Sequence, residues 1–486
     1  MRLRPLRLAA LALIALLAMP ALALAQDEEP GIAEQIDSLV VATDSIWVVV
    51  AAVLVLFMQA GFGMLEVGLS RMKNAGAVMA KIFINLGIAM VMFWSIGFAI
   101  AFGGDGDFMG TTGWFLETDD VFPAYSGGIP IEADFLFQSV FVAVSLAIVF
   151  GSMLDRVKTA GYVIFAIVYA GLIYPIVAHW TWGGGWLGQD EFLDFAGSSI
   201  VHLQGALAAL AGAIILGPRI GKFRNGKAVP IPGHSMPLAL LGALILLVGW
   251  QGFNGGSTLA AVGANFADVI VNTNLAAGSG ALGAAVGSLI MFRTLDVSQI
   301  GNGLIAALVA ITAPCAFVDP WAAVLIGAVA GLAVPPLVIG VEKLRLDDPI
   351  GAVPVHGISG IWGTVAIGFF AVEGRLEAAG LGGTPGIFYG GGADQLWVQV
   401  YGVLATVGFT FTASFALFML IKYTVGLRVT EEQELRGLDI SEHGMFGYPE
   451  RFIEVPGAEP EDLPRSAAPS PSGASVSGSS SSGGQS

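Results

Sequence analysis

Eleven apolar segments follow one another along this chain, at residues 46–69, 77–102, 133–153, 159–179, 197–216, 237–253, 273–292, 301–318, 322–341, 353–370 and 396–421. A helix rising 1.5 Å per residue needs about 20 residues to cross a hydrocarbon core of about 30 Å, and most of these segments have that length. Inside a bilayer no water can bond exposed backbone, so a spanning segment is either a helix or a strand of a closed barrel. Runs this long lack the strict alternation of barrel strands and call for helices. Composition agrees: 55% of the 486 residues are hydrophobic, 12% are charged and the mean hydropathy is +0.78. The expected fold class is an all-α polytopic membrane protein. Its 67 glycines let neighbouring helices approach closely.

The segment before these spans has a different character. Arg2, Arg4 and Arg7 precede an apolar run from Leu8 that ends in Ala23-Leu24-Ala25, the layout of a secretory signal peptide covering 1–25, with cleavage expected before Gln26 and an uncleaved first helix as the alternative. Basic residues then fall in alternate loops: Arg71 and Lys73, Arg156 and Lys158, Arg219 through Lys227, Arg293, Lys343 and Arg345, then Lys422 and Arg428. The other set of loops holds only Arg375 and is acidic, with Asp105, Asp107, Glu117, Asp119, Asp120, Asp190, Glu191 and Asp319 among its residues. Lys and Arg gather on the cytoplasmic side, which puts the mature N-terminus outside and the C-terminus in the cytoplasm. The net charge of −16 partly reflects that acidic outer surface; it can favour cations modestly, although solvated loops need no function.

One pattern occurs twice. Asp194-x-x-Gly197-x-x-x-Val201-His202 opens the fifth apolar segment and Asp348-x-x-Gly351-x-x-x-Val355-His356 opens the tenth. Asp194 lies at an outer end and Asp348 at an inner end, so the two helices run in opposite directions. Five spans per half relate the halves by a pseudo-two-fold axis in the membrane plane, leaving an extra C-terminal helix. Eight residues of helix carry each histidine ~12 Å inward from its aspartate, so both imidazoles approach the midplane and come within reach of each other. Ionisable groups at that depth are expensive to bury and point to function. The aspartates themselves sit where a carboxylate caps free backbone N–H groups, and structural capping is the reading for both, with direct cation support open for Asp194 on the entry side. His179, His234 and His443 receive no functional assignment. Cys315 is the sole cysteine, so no intrachain disulfide forms. Phosphate-loop and hydrolase-nucleophile motifs are absent from the sequence, which leaves ATP-driven transport and enzyme chemistry unsupported and calls for no cofactor or metal. Nothing suggests nucleic acid as a partner.

With these residues in place, the chain resembles the ammonium transporter (Amt/Mep/Rh) family, in its bacterial Amt-like branch, over residues 47–448. The resemblance rests on Asp194-Phe-Ala-Gly-Ser-Ser-Ile-Val-His202, Gly249-Trp-Gln-Gly-Phe-Asn254, Asp347-Asp-Pro-Ile-Gly-Ala-Val-Pro-Val-His356-Gly and Gly426-Leu-Arg-Val-Thr-Glu-Glu-Gln-Glu-Leu-Arg-Gly-Leu-Asp439. It implies a homotrimer of eleven-helix subunits in the bacterial inner membrane, each with a narrow pore for ammonium or ammonia. Carried over, the pore's twin histidines are His202 and His356, its stacked phenylalanine gate is Phe141 and Phe253, and its outer recruitment site is Trp182 with Ser257 and Phe141. Taken alone, Trp182 reads more often as an interfacial belt residue; paired with phenylalanines, its indole face can hold a cation. Two departures from the family pattern stand out: Gln251, expected to alter polarity beside the gate, and Ser198-Ser199, expected to change hydration at the outer end of the pore.

The resulting organisation is a signal peptide at 1–25, a transmembrane domain at 26–425, a cytoplasmic regulatory tail at 426–455 and a disordered tail rich in Pro, Ser and Gly at 456–486. Resemblance implies docking of a PII-type signalling protein at the cytoplasmic face; a tail that braces neighbouring subunits is the plainer alternative. Two other functions compete with transport, an ammonium sensor with little flux and an electroneutral channel for ammonia or carbon dioxide.

Overall fold

The computed structural model describes residues 31–104, 106–117, 122 and 128–449. The signal peptide expected at 1–25, the tail expected at 456–486 and several acidic residues of the second loop, Asp105, Asp119 and Asp120 among them, lie outside the described residues. Among the described residues, ten helices are long and apolar enough to cross a membrane and a shorter apolar helix joins them. In chain order they are α1 (Ile32–Leu69), α2 (Met72–Phe102), α3 (Ile131–Gly151), α4 (Thr159–Gln189), α5 (Ser198–Leu216), α6 (Met236–Gly256), α7 (Phe266–Phe292), α8 (Val297–Thr312), α9 (Pro320–Lys343), α10 (Val353–Phe370) and α11 (Asp394–Thr424).

Where helix ends depart from the apolar segments, local chemistry accounts for it. Helix α1 begins at Ile32 rather than near residue 46, and its added turns carry Glu34 and Asp37 and are exposed, so hydropathy does not register them. Helix α8 ends at Thr312, although the apolar run continues to Val318. Pro314 has no N–H and disfavours helix in the residue before it, and the Ala313 N–H is instead donated to the Ser198 hydroxyl at 2.7 Å. Helices α2 and α4 each contain a π-helical turn, Phe93–Gly97 and Tyr169–Ile173, and these turns pack against each other.

The two halves meet along a seam of small residues. Helices α1 and α6, the first spans of each half, are in close contact over much of their length. A Cβ on Gly68 would fall 2.4 Å from the Ala239 backbone nitrogen, and one on Gly242 would fall 2.3 Å from that of Leu65. Backbones this close exclude any side chain, which is how helices associate where lipid supplies no hydrophobic drive.

At one end of the bundle the basic residues form a single buried network. Arg219 donates to both carboxylate oxygens of Asp347 at 2.9 Å and reaches Asp155 at 3.4 Å, while Arg71 donates to Asp155 at 2.8 Å. Asn74 also bonds Asp155. Arg156, wholly buried, donates to the carbonyls of Gly217 and Asp347, each at 2.8 Å. The segment after α11 closes over this end. Arg428 pairs with Glu434 at 2.7 Å, Asp439 accepts from the backbone N–H groups of Gly76 and Ala77, and Glu442 pairs with Lys81 at 3.1 Å and accepts from Thr159. The described part of the tail is therefore held against its own subunit. A capping box at Thr430 and Gln433 starts its first short helix.

Burial pushes the Asp347 carboxyl up, and the Arg219 hydrogen bonds with the Arg156 and Arg219 charges outweigh it, bringing it from 3.8 down to about 2. A carboxyl held low when folded stabilises the fold above its unfolded value, so this contribution is complete above pH ~4 and is lost as pH falls toward about 2. Asp347→Asn removes the carboxylate that Arg219 grips with two hydrogen bonds and that sits beside Arg156, leaving Asp155 at 3.4 Å as the remaining partner of Arg219. It is expected to lower stability by ~3–5 kcal/mol at neutral pH and to flatten the acid limb of the stability profile, measured as thermal midpoint against pH in detergent.

Candidate conduction site

The two histidines stand on the irregular first turns of α5 and α10. Both starts are π-helical, Ser198–Leu203 and Val353–Ile358, and each follows a glycine with positive φ, 112° at Gly197 and 77° at Gly351. The glycine of the repeated motif is thus the residue at which the chain reverses before entering the helix. Asp194 supports the first reversal. One carboxylate oxygen accepts from the N–H groups of Gly197 and Ser198 at 2.8 and 2.9 Å, the other from Ser199 and Ile200 at 2.7 and 3.1 Å. Asp348 accepts from the Val353 N–H at 2.8 Å and from the Ser152 hydroxyl at 2.9 Å. All of the carboxylate bonds of Asp194 go to backbone, the geometry of a cap.

From these starts the imidazoles meet. His202 and His356 approach Nδ1 to Nδ1 at 3.3 Å, with ring planes 18° apart. One Nδ1 must donate and the other accept, so the outward Nε2 atoms are one bare acceptor and one N–H donor. Exchanging the two roles takes two proton movements, one between the Nδ1 atoms and one from the protonated Nε2 to the bare Nε2, so that each ring stays neutral. Both rings are buried, and the His202 Nε2 has no protein partner.

A continuous file of rings extends either way from the pair. Trp182 meets Phe141 edge-on at 6.2 Å, Phe141 stacks on Phe253 at 4.0 Å, Phe253 lies 5.4 Å from His202, and His356 lies 6.4 Å from Phe62. Trp250 stacks on His202 at 5.1 Å and is itself held by a bond from its indole N–H to Thr312. At the acidic end a cavity of about 310 Å³ opens in front of the file, lined by Phe137, Gln138, Trp182, Ser257 and Arg375 among others. The Trp182 indole N–H donates to the Asp194 carbonyl at 2.8 Å, which fixes the ring's orientation, and the Ser257 hydroxyl donates to the Phe253 carbonyl. Arg375, the one basic residue of the acidic set of loops, pairs with Asp319 at 2.8 Å and with Asp268 at 3.7 Å. That hydrogen bond holds the Asp319 carboxyl below the usual range.

Several residues sit away from this file. His179 bonds the carbonyls of Ala101 and Gly106, and His234 bridges the Ser70 carbonyl and the Tyr448 hydroxyl. Gln251 turns away from the phenylalanines; its amide exchanges hydrogen bonds with Asn274 of α7 and donates to the Leu247 carbonyl. The Ser198 hydroxyl is used between Val309 and Ala313, and that of Ser199 bonds Thr364 at 2.7 Å. These polar groups pin α5 to α8 and α10. Trp250 and Phe62 had escaped the motif reading, although Trp250 lies three residues before Phe253, on the same helical face.

The family model "Ammonium Transporter Family" matches residues 46–448. This chain belongs to the ammonium transporter family. Among its relatives, ammonium transporter Amt2 of Archaeoglobus fulgidus is 43% identical over 422 residues, covering 84% of this chain and 88% of that protein. Among solved structures, a sensor Amt protein aligns at a TM-score of 0.77 and 33% identity, covering 83% of this chain and 99% of that one. Mep2 of Candida albicans aligns at 0.75 and 28%, covering 81% and 87%. The all-α membrane architecture expected from the apolar segments is that of this family.

In this member of the ammonium transporter family, a Cβ at Gly197 would meet Val201 at 2.6 Å and the Trp182 ring at 3.1 Å. Positive φ in a non-glycine residue adds ~1–3 kcal/mol of strain. Gly197→Ala is expected to lower the unfolding midpoint and to displace Trp182, read as a change in indole fluorescence relative to the wild type.

Proposed function

We propose that this protein carries ammonium across the bacterial inner membrane, recruiting the ion at Trp182, Ser257 and Phe141, deprotonating it, and passing ammonia through the Phe141–Phe253 gate and along His202 and His356 into the cytoplasm. The observation that supports this most is the facing histidine pair within an otherwise apolar file of rings. Moving an intact ion through such a file incurs a desolvation term whose idealised limit is ~20 kcal/mol. Removing a proton from an acid with a pKa of about 9 to 10 at pH 7 costs only ~3–4 kcal/mol. An indole face with neighbouring phenyl rings holds a cation by ~0.5–2 kcal/mol, enough to gather ammonium at the mouth without trapping it. Beyond the gate, the pair offers ammonia one donor and one acceptor in place of water.

The basic end of the bundle is the cytoplasmic one in this reading, the mature N-terminus lies outside, and three subunits assemble, each with its own pore. The tail from 426, held against its own subunit, then presents its outward face to a PII-type signalling protein. A sensor role is the second reading, favoured by the likeness to a solved protein titled as a sensor Amt.

The test is ammonium-evoked current from proteoliposomes on a solid-supported membrane. A saturable current is expected from the wild type, falling roughly tenfold or more in His202→Ala and His356→Ala. Trp182→Leu is expected to raise the half-saturating concentration by roughly 2- to 30-fold, the cation–π range expressed as affinity. No current from intact wild-type protein overturns electrogenic transport; a lumenal pH response without current then identifies a neutral ammonia conduit, and neither response a sensor.

A further inference from the structure

Glu66 is the buried acid that the site does not use. It is wholly inaccessible on α1, and among the described residues neither carboxyl oxygen has a hydrogen-bond partner. Most other buried carboxylates are provided for: Asp194 and Asp439 by backbone N–H groups, Asp347 and Asp155 by arginines, Asp348 by Val353 and Ser152; Asp134, buried with one unpartnered oxygen, stands at the far end of α3. A buried carboxyl that accepts nothing stabilises nothing, and an apolar side chain of its volume would fill the space without the desolvation penalty. The property Glu66 retains there is an exchangeable proton.

Its position relates it to the pore. Phe62, whose ring lies 6.4 Å from His356, precedes Glu66 by one helical turn on the same face of α1. Because α1 leads to Arg71 and Lys73, Glu66 lies between the histidine pair and the basic end. Gly151 makes room for it: a Cβ there would stand 3.1 Å from a Glu66 oxygen and closer still to Ile350, two residues from Asp348. Gln59, two turns back along α1, is also buried with both amide atoms unpartnered. Polar atoms of this kind are met by water in hydrated proteins. The row Gln59, Glu66 therefore offers a polar lane alongside the apolar one.

Resting on the transport reading above, we propose that Glu66 is a proton station beside the pore, taking up the proton that ammonium gives up and delivering it to the cytoplasmic side. In the transfer an N–H bond of ammonium breaks with its electron pair kept on nitrogen, ammonia continues past the histidines, and the proton, carried by water, forms an O–H bond on the Glu66 carboxylate. That O–H bond then breaks and the proton leaves to water at the basic end. Nothing is oxidised or reduced. Of the titratable and charged groups, Tyr162 on α4 faces Glu66, Asp348 lies two residues from the Ile350 that shares its Gly151 neighbour, and farther along the same elements stand Lys81 on α2, paired with Glu442, and His356, beyond Phe62. Helix α6 has no titratable residue, and those of α3, Glu132 and Asp134, are at its far end.

The experiment uses the full chain with Glu66→Gln and Glu66→Asp, in two measurements. Infrared difference titration of the purified protein is expected to show a carboxyl C=O band that changes with pH in the wild type and is missing from Glu66→Gln. In proteoliposomes the ammonium-evoked current is expected to fall about tenfold or more in Glu66→Gln and to persist in Glu66→Asp with a displaced pH profile. Current and pH profile unchanged in Glu66→Gln overturn the proposal, as does a lost current with an infrared difference spectrum identical to the wild type, which marks a structural role. If Glu66→Gln does not assemble, an unshifted pH profile in Glu66→Asp overturns it. A wild type without current overturns the electrogenic transport on which this proposal rests, and the infrared band then still decides whether Glu66 exchanges a proton.

Discussion

The carboxylate of Asp194 and the backbone it holds underlie the rest of the site. Helix α5 starts inside the protein, where its first N–H groups have no intrahelical acceptors and no bulk water, and leaving them unpaired would cost several kcal/mol each. Four hydrogen bonds to one side chain resolve this. The same reversal demands the positive φ of Gly197, brings the Asp194 carbonyl to the Trp182 indole, and sets the π-helical turn that directs His202 inward. Asp348 and Gly351 repeat the arrangement from the opposite face. The imidazoles meet because two related turns face each other, one held by four backbone N–H bonds to Asp194, the other by the Val353 N–H and Ser152 hydroxyl on Asp348.

Polarity is distributed so that the ring file stays apolar while the ends are charged. Arginines and carboxylates at the basic end neutralise one another, with Arg219 shared between Asp155 and Asp347. The tail contributes Glu434, Asp439 and Glu442 to that same end, so the network that closes the bundle also anchors the tail. Removing one partner of such a network exposes the others to uncompensated burial, which couples the position of the tail to the integrity of the loops at that end. Glu66 is the exception, a carboxyl with no counter-charge on the pore side of that network.

Much of this was legible in the residues. Hydropathy located every span, but it underestimated α1, whose outer turns are polar, and overran α8, whose apolar sequence continues through a turn imposed by Pro314. The repeated motif identified both histidines and the parity that inverts the halves. Gln251 shows the limit of position as a guide: it lies two residues from Phe253, yet helical geometry turns it some 160° away from that ring, and its amide is spent on Asn274. Ser198 and Ser199 likewise bond neighbouring helices rather than the pore.

The sequence by itself determined that the chain spans a membrane as eleven helices, that its halves are inverted copies, and which two turns carry buried histidines, because apolar length, loop charge and motif spacing are properties of consecutive residues. Only the tertiary structure decided that His202 and His356 meet at 3.3 Å, that Trp250 backs one and Phe62 the other, and that Glu66 has no partner. Those facts depend on how helices from far apart in the chain cross and how closely small residues let them approach, and neither distance nor the absence of a bonding partner is encoded in any local pattern.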